Sequence, residues 1–447
     1  MQSRIFLLNS VLCCFLLFAF VSCVSSKMLS SKEQKQLHEL VTESSVLSQG
    51  FTGFQLYDPV SKQILYQQYA DRYFTPASNT KIFTFYVANH LLQDSVPALK
   101  YIAKNDSLIF WGTGDPSLLH NHLPNNSDVL AFLRNRPEKL FFCADNFMDT
   151  RYGAGWMWDD YPYSFQVERS PLPIYGNVVS ITKGEEEATF TISPNYFQAK
   201  IKEQDIGGAN ARFLRQEKSN EIDYNGKPAG TAKFDRELPF IYSDSLAAIL
   251  LGHAIGRPVQ LITGLGIQPK ESKTLYSISK DSINQRMMVE SDNFLADQLL
   301  YLSSGVIFDT LNTRMIIRYA KDSLFNDAPD PLMWYDGSGL TRYNQFTPRT
   351  MVYLLEKIYQ EMPESYWKTM FPAGGETGTI QEYFSSSQPY IYAKTGSMRY
   401  VRCLSGYLLT ERGNTLIFSF MNNHIPGSSS TWALEMEQIL FWLYKRL

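Results

Sequence analysis

Residues 75–92, with the sequence TPASNTKIFTFYVANHLL, place a short polar stretch directly before an apolar one. The apolar side chains recur at spacings of about three and four residues, which predicts a helix with one buried face. Ser78 lies at the start of this helix and Lys81 follows three residues later, so the two side chains are predicted to be neighbours on the helix surface. The predicted buried stripe consists of Ile82, Phe83, Tyr86, Val87 and Leu91.

This pair of side chains can perform covalent catalysis. A serine hydroxyl is a weak nucleophile at neutral pH and needs a base within hydrogen-bonding distance. A lysine becomes such a base when burial or a nearby cation destabilises its ammonium form. The N-terminus of a helix also offers unpaired backbone N–H groups, which stabilise the negative charge that develops during acyl transfer. Ser78 and Lys81 are therefore predicted to be a nucleophile and its base.

The composition limits the size of the fold and the partners. The chain has 447 residues, of which 44% are hydrophobic, so it is long enough to form more than one core. The formal net charge is −3, which gives no excess of positive charge for binding nucleic acid or an anionic membrane surface. Nucleic acid is therefore not expected among the partners.

The first 23 residues differ from the rest of the chain. Arg4 precedes the apolar stretch IFLLNSVLCCFLLFAFVSC, whose length and small final residues are typical of an export signal. The ending FVSC resembles a bacterial lipobox, although Phe20 stands where leucine is usual. We expect a lipoprotein-type signal peptide over residues 1–23 and a protein anchored by lipid on Cys23 at the periplasmic side of the cell envelope. A plain secretory signal with an incidental cysteine is the alternative.

Cysteine usage gives no disulfide framework. Cys13 and Cys14 lie in the signal and Cys23 is the expected anchor, so only Cys143 and Cys403 remain. Two cysteines do not form a framework, and a buried cysteine usually behaves as a small hydrophobic residue. We predict no structural disulfide.

The secondary-structure pattern predicts a discontinuous organisation. Residues 53–74 contain two strand-like runs around a turn, and residues 277–447 contain helical and then strand-like patterns. Between them, short strand-like pieces separated by turn residues predict a β-rich region of one or two modules. We therefore predict an α+β fold in which residues 24–92 and 276–447 form one domain and residues 93–275 are inserted into it.

Two further motifs follow the serine and lysine in order. Residues 291–293 read Ser-Asp-Asn in a helical context, and residues 394–396 read Lys-Thr-Gly within a strand pattern. Each motif is weak by itself, since a second Ser-x-x-Lys runs from Ser277 to Lys280. The ordered set of Ser-x-x-Lys, Ser-Asp-Asn and Lys-Thr-Gly, however, is typical of penicillin-interacting enzymes.

Four stretches together resemble the D-Ala-D-Ala carboxypeptidase/endopeptidase family of low-molecular-mass, class C penicillin-binding proteins. They are PASNTKIFT, ESDNFLADQLL, DGSGLTRYN and AKTGSMRYVRCLSGY. The long gap between Lys81 and Ser291 is similar to the insertion characteristic of this family. The resemblance implies a β-lactamase/transpeptidase-like domain, in which helices flank an antiparallel sheet, with a large β-rich insertion.

The resemblance also implies a role for each side chain of the first two motifs. Ser78 is implied to be the acylated nucleophile, and Lys81 the base that takes its proton. Ser291 is implied to relay a proton toward the leaving group. Asn293 is implied to bind the substrate amide or to orient Lys81.

The third motif is implied to bind the substrate. Lys394 and the hydroxyls of Thr395 and Ser397 are implied to hold the terminal carboxylate of D-alanine at a strand edge. Gly396 is expected to allow close approach of the substrate, because a side chain there would obstruct it. The backbone N–H groups of Ser78 and Ser397 are implied to form the oxyanion hole.

The implied reaction is acyl transfer on peptidoglycan stem peptides. Ser78 attacks the carbonyl of a D-Ala-D-Xaa bond, and water then hydrolyses the acyl-enzyme. A β-lactam enters the same route and stalls as a covalent inhibitor. No metal or organic cofactor is expected. His120 and His122 alternate as metal ligands can, but no matched ligand set accompanies them, which favours a loop.

Two other functions are alternatives to this one. A class A β-lactamase needs a glutamate in Glu-x-x-Leu-Asn, and the nearest stretch, FDTLN, carries Phe308 at that position. A non-catalytic envelope binding protein of the same fold has no need for a serine backed by a lysine. Both remain alternatives to the peptidase.

Overall fold

A computed structural model describes residues 29–124, 127–187, 189–228 and 230–447. The expected signal peptide and Cys23 lie outside these ranges. In the described part of the chain, no helix combines the length and the apolar character needed to cross a bilayer.

The elements have the following bounds. The strands are β1 Phe51–Asp58, β2 Gln63–Gln68, β3 Ser95–Lys104, β4 Ser107–Gly112, β5 Lys139–Cys143, β6 Val178–Lys183, β7 Thr191–Ser193, β8 Ile201–Glu203, β9 Phe213–Arg215, β10 Ile222–Tyr224, β11 Phe234–Pro239, β12 Val259–Ile262, β13 Lys273–Ser279, β14 Ile391–Met398, β15 Val401–Leu409 and β16 Thr415–Asn423. The helices are α1 Ser31–Thr42, α2 Lys81–Leu91, α3 Ser127–Asn135, α4 Asp244–Ile255, α5 Lys280–Val289, α6 Asn293–Phe308, α7 Thr313–Ser323, α8 Pro348–Glu361, α9 Glu364–Met370 and α10 Ser429–Arg446.

Strands from both ends of the chain form one antiparallel sheet in the order β14-β15-β16-β1-β2. Side chains alternate between its two faces, as strand geometry requires. Phe418 and Phe420 of β16 belong to the core under α1 and α10, whereas Ile417 and Met421 belong to the core under α8, where α2 and α6 also pack. The predicted antiparallel sheet flanked by helices is confirmed.

The residues between the two halves of this sheet have a core of their own. A second sheet has the order β12-β5-β4-β3-β13, and two three-stranded sheets contain β8-β10-β9 and β11-β6-β7. A separate hydrophobic cluster extends from Ala98 to Ile255. The last strand of the second sheet, β13, pairs with β3 and continues beyond residue 275 to Ser279.

This middle region contains more helix than the strand-like pattern predicts. Strands β4 and β5 pair in parallel, and so do β5 and β12. Parallel neighbours need a crossover connection rather than a tight turn. Helix α3 lies in the connection from β4 to β5, and α4 lies directly before β12, so these helices accompany the parallel pairs.

Candidate active site

The nucleophile motif lies where a short 3-10 turn, Ala77–Thr80, runs into helix α2. Lys81 is the first residue of the helix and its side chain is fully buried. Its Nζ donates a hydrogen bond to Oγ of Ser78 at 3.0 Å. The sequence spacing therefore brings serine and lysine into contact, as predicted.

The Ser-Asp-Asn motif forms the junction between two helices. The pattern of residues 284–302 reads as one continuous helix, but the structure has α5 ending at Val289 and α6 beginning at Asn293. Ser291 between them has a φ of +60°, which a helix cannot accommodate. The side chain of Asp292 caps α6 by accepting from the backbone N–H of Leu295 at 3.1 Å.

This junction directs two side chains of the motif toward the other motifs. Oδ1 of Asn293 accepts a hydrogen bond from Nζ of Lys81 at 2.5 Å. Oγ of Ser291 accepts from Nζ of Lys394 at 2.8 Å. The structure thus brings the three motifs together, although about 200 residues separate the first from the second.

Strand β14 carries the Lys-Thr-Gly motif on the edge of the sheet. Lys394 is fully buried, and Thr395 donates through its hydroxyl to Oγ1 of Thr379 at 2.7 Å. Ser397 is exposed, and its Oγ accepts from Nη1 of Arg402 at 2.7 Å. Arg402 was not among the predicted site residues. Its place opposite Ser397 on the next strand, five residues further along the chain, was the available signal.

The structure gives a packing reason for glycine at position 396. A Cβ atom on Gly396 would lie 2.2 Å from the carbonyl oxygen of Pro76 and 3.1 Å from the backbone nitrogen of Asn79. The Asn79 side chain also donates to the carbonyl of Lys394 at 2.6 Å. Gly396 therefore lets the strand pack directly against the turn that carries Ser78. Close approach of the substrate at this position stays a prediction.

Burial changes the acidity of both lysines. It lowers the pKa of Lys81 to about 8, although the carboxylates of Asp336, Asp297 and Asp292 oppose the shift. It also lowers the pKa of Lys394 well below its ordinary value, and the positive charges of Lys81 and Arg402 add to that shift. A lysine with a pKa near 8 is partly neutral at physiological pH and can accept a proton.

Residues of the first two motifs, and Ser397 directly after the third, border a cleft of about 520 Å³. Ser78, Ser291, Asn293 and Ser397 line it. Residues from outside the motifs complete its walls. They are Met157, Asp159, Asp160, Phe165, Gly339, Leu340, Arg342, Met398 and Arg399.

A larger cavity, of about 760 Å³, lies elsewhere and contains none of the motif residues. It is bordered by Met148, Phe308 and Asn312 together with side chains of α7. Phe308 and Asn312, the first and last residues of the FDTLN stretch that stands nearest to the β-lactamase glutamate motif, thus line this second cavity. Neither Phe308 nor Asn312 lines the cleft that contains Ser78.

The contact that sequence reasoning missed is the third acceptor of Lys81. Nζ of Lys81 donates to the carbonyl oxygen of Ser338 at 2.7 Å. Gly339, in the same turn, has a φ of +85°, and a Cβ there would lie 2.0 Å from the carbonyl oxygen of Ala77. The DGSGL sequence, with two glycines around Ser338, was the available signal for a tight turn at the site.

Several secondary features have structural roles. Asp115 accepts from both the backbone N–H and the hydroxyl of Ser117 at 2.9 Å, as a turn brace does. In the second Ser-x-x-Lys, the hydroxyl of Ser277 donates to Asp115, and Nζ of Lys280 donates to the carbonyl of Leu92 at 3.2 Å. Each side chain of this second copy is thus engaged elsewhere.

The two histidines and two cysteines lie outside the cleft. Nε2 of His122 lies 3.0 Å from Oε1 of Glu237, and burial lowers the pKa of His120 to about 4. Among the residues that the structure describes, no group of three side chains could hold a metal ion. Cys143 and Cys403 are buried free thiols.

The structure combines a buried lysine bonded to a serine at a helix start, an adjoining antiparallel sheet, and Ser-Asp-Asn in contact with Lys-Thr-Gly. This combination defines a penicillin-recognising serine hydrolase. The family within this class follows from comparison of the sequence. Residues 33–442 match the D-Ala-D-Ala carboxypeptidase 3 (S13) family, and the chain belongs to that family.

Individual relatives agree with this assignment. The chain is 24% identical over 409 residues to the D-alanyl-D-alanine carboxypeptidase DacB of Haemophilus influenzae, and the match covers 82% of this chain and 84% of the relative. The crystal structure of penicillin binding protein 4 from the same organism covers 92% of this chain and 99% of its own, with a TM-score of 0.73 at 19% identity. A complex of that protein with a β-lactam covers the same shares with a TM-score of 0.66 at 20% identity. The two proteins share a fold.

Proposed function

We propose that the protein hydrolyses the D-Ala-D-Xaa bond of peptidoglycan stem peptides through an acyl-enzyme on Ser78, as a carboxypeptidase, an endopeptidase or both. The observation that carries this proposal is the 3.0 Å hydrogen bond from buried Lys81 to Ser78, which lines the cleft. Membership of the D-Ala-D-Ala carboxypeptidase family supports the choice of substrate.

Acylation begins at the serine. Lys81 takes the proton of Ser78 as Oγ attacks the carbonyl carbon, and the tetrahedral oxyanion is received by the backbone N–H groups of Ser78 and Ser397. The C–N bond then breaks: Ser291 gives its hydroxyl proton to the departing amine and receives the proton that Lys81 took from Ser78, which leaves Lys81 neutral again. Because Oγ of Ser291 accepts from Nζ of Lys394 at 2.8 Å, its own hydroxyl hydrogen is free to point toward the leaving group. Water hydrolyses the ester and restores the hydroxyl of Ser78.

The terminal carboxylate of the substrate binds at the edge of β14. Nζ of Lys394 and the hydroxyls of Thr395 and Ser397 supply its hydrogen bonds. Arg402 supports this arrangement, because it holds the hydroxyl of Ser397 at the mouth of the cleft. Gly396 contributes by keeping β14 against the Ser78 turn.

The location and organisation proposed from the sequence extend this function. Residues 1–23 are a signal peptide, and lipid on Cys23 holds the protein at the periplasmic side of the envelope, where its substrate is. Residues 24–92 and 276–447 form the catalytic domain, and residues 93–275 are an insertion. The separate hydrophobic core of the middle region supports this division.

Labelling with a fluorescent penicillin tests the proposal. Purified protein is expected to acquire a persistent label that maps, after digestion and mass spectrometry, to the peptide containing Ser78, and to release D-alanine from a synthetic stem pentapeptide. Rapid hydrolysis of the drug without lasting label would instead identify a β-lactamase. Absence of both label and D-alanine release would identify a binding protein. Digestion of crosslinked muropeptides then separates endopeptidase from carboxypeptidase activity.

The pH dependence of acylation provides a further prediction. Only neutral Lys81 accepts the proton of Ser78, and burial lowers its pKa to about 8. At saturating substrate, the acylation rate is therefore expected to rise about tenfold per pH unit from pH 6 and to level off above pH 8. Stopped-flow measurement of acylation by a chromogenic cephalosporin checks this. A flat profile between pH 6 and pH 8 would contradict the assignment of Lys81 as the base.

A further inference from the structure

A sealed group of charged side chains lies beneath the Ser78 and Lys81 pair. Asp297 and Asp336 are fully buried, and only 2% of Arg169 is exposed. Nη1 of Arg169 lies 3.6 Å from Oδ1 of Asp297. Burial of a charged group lowers the stability of the fold unless partners compensate for the lost hydration. Three such groups next to the base therefore need a specific arrangement of partners.

Asp336 organises the turn that follows it. Its Oδ1 accepts from the backbone N–H of Gly339 at 2.8 Å and from Nδ2 of Asn344 at 2.6 Å. Its Oδ2 accepts from the backbone N–H of Thr341 at 2.9 Å. The carboxylate thereby fixes the backbone that presents the carbonyl of Ser338 to Lys81.

A segment of the middle region, residues 156–169, which we call the brace segment, holds this assembly from the other side. Nε1 of Trp156 donates to Oδ2 of Asp336 at 2.8 Å. The carbonyl of Phe165 accepts from Nδ2 of Asn293 at 2.9 Å. Arg169 pairs with Asp297 and lies 5.5 Å from the ring centroid of Trp156.

The second of these contacts fixes the orientation of an amide. Because Nδ2 of Asn293 is engaged by Phe165, its Oδ1 faces Lys81 as an acceptor. Lys81 therefore has three neighbours. The carbonyl of Ser338 and Oδ1 of Asn293 can only accept, whereas the hydroxyl of Ser78 can also donate.

This difference decides where the lone pair of the base points. As an ammonium, Lys81 has three N–H donors, one for each neighbour. After losing one proton it has two, and the two obligate acceptors, Ser338 and Asn293, retain them. The lone pair that remains faces Oγ of Ser78 at 3.0 Å, in position to take the hydroxyl proton.

We propose that the brace segment of the inserted region is a positioning element for Lys81, acting through Asp336 and Asn293 to aim the lone pair of the neutral amine at Ser78. The inference rests on the proposed role of Lys81 as the base. It assigns a role in catalysis to the middle region, although that region has a hydrophobic core and sheets of its own. None of the brace residues named in these contacts needs to react with the substrate.

The charges around Lys81 allow positioning to be distinguished from simple structural support. Asp336 raises the pKa of Lys81, so removal of its charge is expected to move the acid limb of the acylation profile to lower pH. Burial raises the pKa of Asp297 to about 6, Asp336 adds to that shift, and Arg169 opposes it. The other charged and titratable groups facing this cluster are Asp149, Asp292, Tyr301 and Lys394.

The test compares two tryptophan variants, each of which loses one hydrogen bond donated by an indole N–H. Trp156→Phe removes the indole N–H that binds Asp336. Trp111→Phe is the control, since Nε1 of Trp111 donates to the carbonyl of Gly266 at 3.2 Å in the same middle region, away from Lys81. Trp156→Phe is expected to lower the maximal acylation rate about tenfold at unchanged substrate affinity, because a small misplacement of a catalytic group is costly. Trp111→Phe is expected to leave that rate unchanged, although both melt at similarly reduced temperatures.

Asp336→Asn provides the second readout. It is expected to lower the maximal acylation rate by at least about tenfold and also to shift the acid limb to lower pH, which loss of packing alone does not do. Equal rates for Trp156→Phe and Trp111→Phe would overturn the proposal, and so would an unshifted limb in folded Asp336→Asn. If Asp336→Asn does not fold, the tryptophan pair decides. Wild-type protein that is not labelled at Ser78 would instead refute the proposed function itself.

Discussion

Lys81→Met is expected to reduce acylation of Ser78 by a β-lactam about 1,000-fold, because general-base catalysis contributes on this scale. Lys81→Arg is expected to lose about as much, since a guanidinium keeps the positive charge but does not release a proton near neutral pH. A role for Lys81 as a fixed positive charge would predict a much milder effect of arginine. Acylation rates from quenched-flow labelling, followed by mass spectrometry, measure both variants.

Lys280→Met is the matched control for this prediction. Lys280 is also the first residue of a helix and the last residue of a Ser-x-x-Lys sequence, but its amine binds the carbonyl oxygens of Asn89 and Leu92. The Lys280→Met variant is expected to be acylated at Ser78 at the wild-type rate. Acylation by Lys81→Arg within tenfold of wild type would show that proton transfer from Ser78 does not depend on this side chain.

The contrast between these two motifs shows what the sequence can predict about the site. The 3-10 turn Ala77–Thr80 runs directly into helix α2, so the three-residue spacing brings Ser78 to Lys81 through local geometry. The same spacing at Ser277 yields no such pair, because Ser277 is the fifth residue of β13 and the helix begins only at Lys280. The ordered set of three motifs, rather than any single one, distinguished the two.

The parts of the site that were missed depend on contacts between distant residues. The hydrogen bond from Trp156 to Asp336 joins residues 180 positions apart. A contact over that separation leaves no periodic pattern in the sequence around either residue. Similarly, the break before Asn293 depends on the positive φ of Ser291, which the apolar pattern on both sides conceals. Periodicity reports the burial of a face, whereas these features depend on tertiary contacts.

The same limit explains the helices missed in the middle region. Helix α4 has apolar residues on most of its surface, including Leu246, Leu250 and Leu251, so it lacks the polar face that marks an amphipathic helix. Its capping residue Ser243 accepts from the backbone N–H of Leu246, and Gly256 ends it with a φ of +73°. These start and stop signals were present in the sequence.

Gly396→Ala is expected to lower the acylation rate at least about 100-fold and to destabilise the fold by about 1–3 kcal/mol. The added Cβ would meet the carbonyl oxygen of Pro76 at 2.2 Å, so β14 and the Ser78 turn have to move apart. That movement separates Ser78 from the strand that carries Lys394 and Ser397. Thermal unfolding and the acylation rate of the same preparation measure the two effects.

Gly406→Ala separates the loss of activity from the loss of stability. Gly406 lies in β15 of the same sheet, and its Cβ would meet the carbonyl oxygen of Tyr392 at 2.2 Å and the Cα and Cβ atoms of Ala393 at 2.5 and 2.7 Å. These contacts lie between β15 and β14 and do not include the Ser78 turn. Gly406→Ala is therefore expected to lose at least as much stability as Gly396→Ala, with acylation falling far more in Gly396→Ala. Equal acylation rates in both variants would mean that the close packing of β14 on the Ser78 turn contributes to the stability of the fold and has no separate effect on acylation. A selective loss in Gly396→Ala would mean that the glycine of this motif is required at the site itself, where it allows β14 to approach the turn that carries the nucleophile.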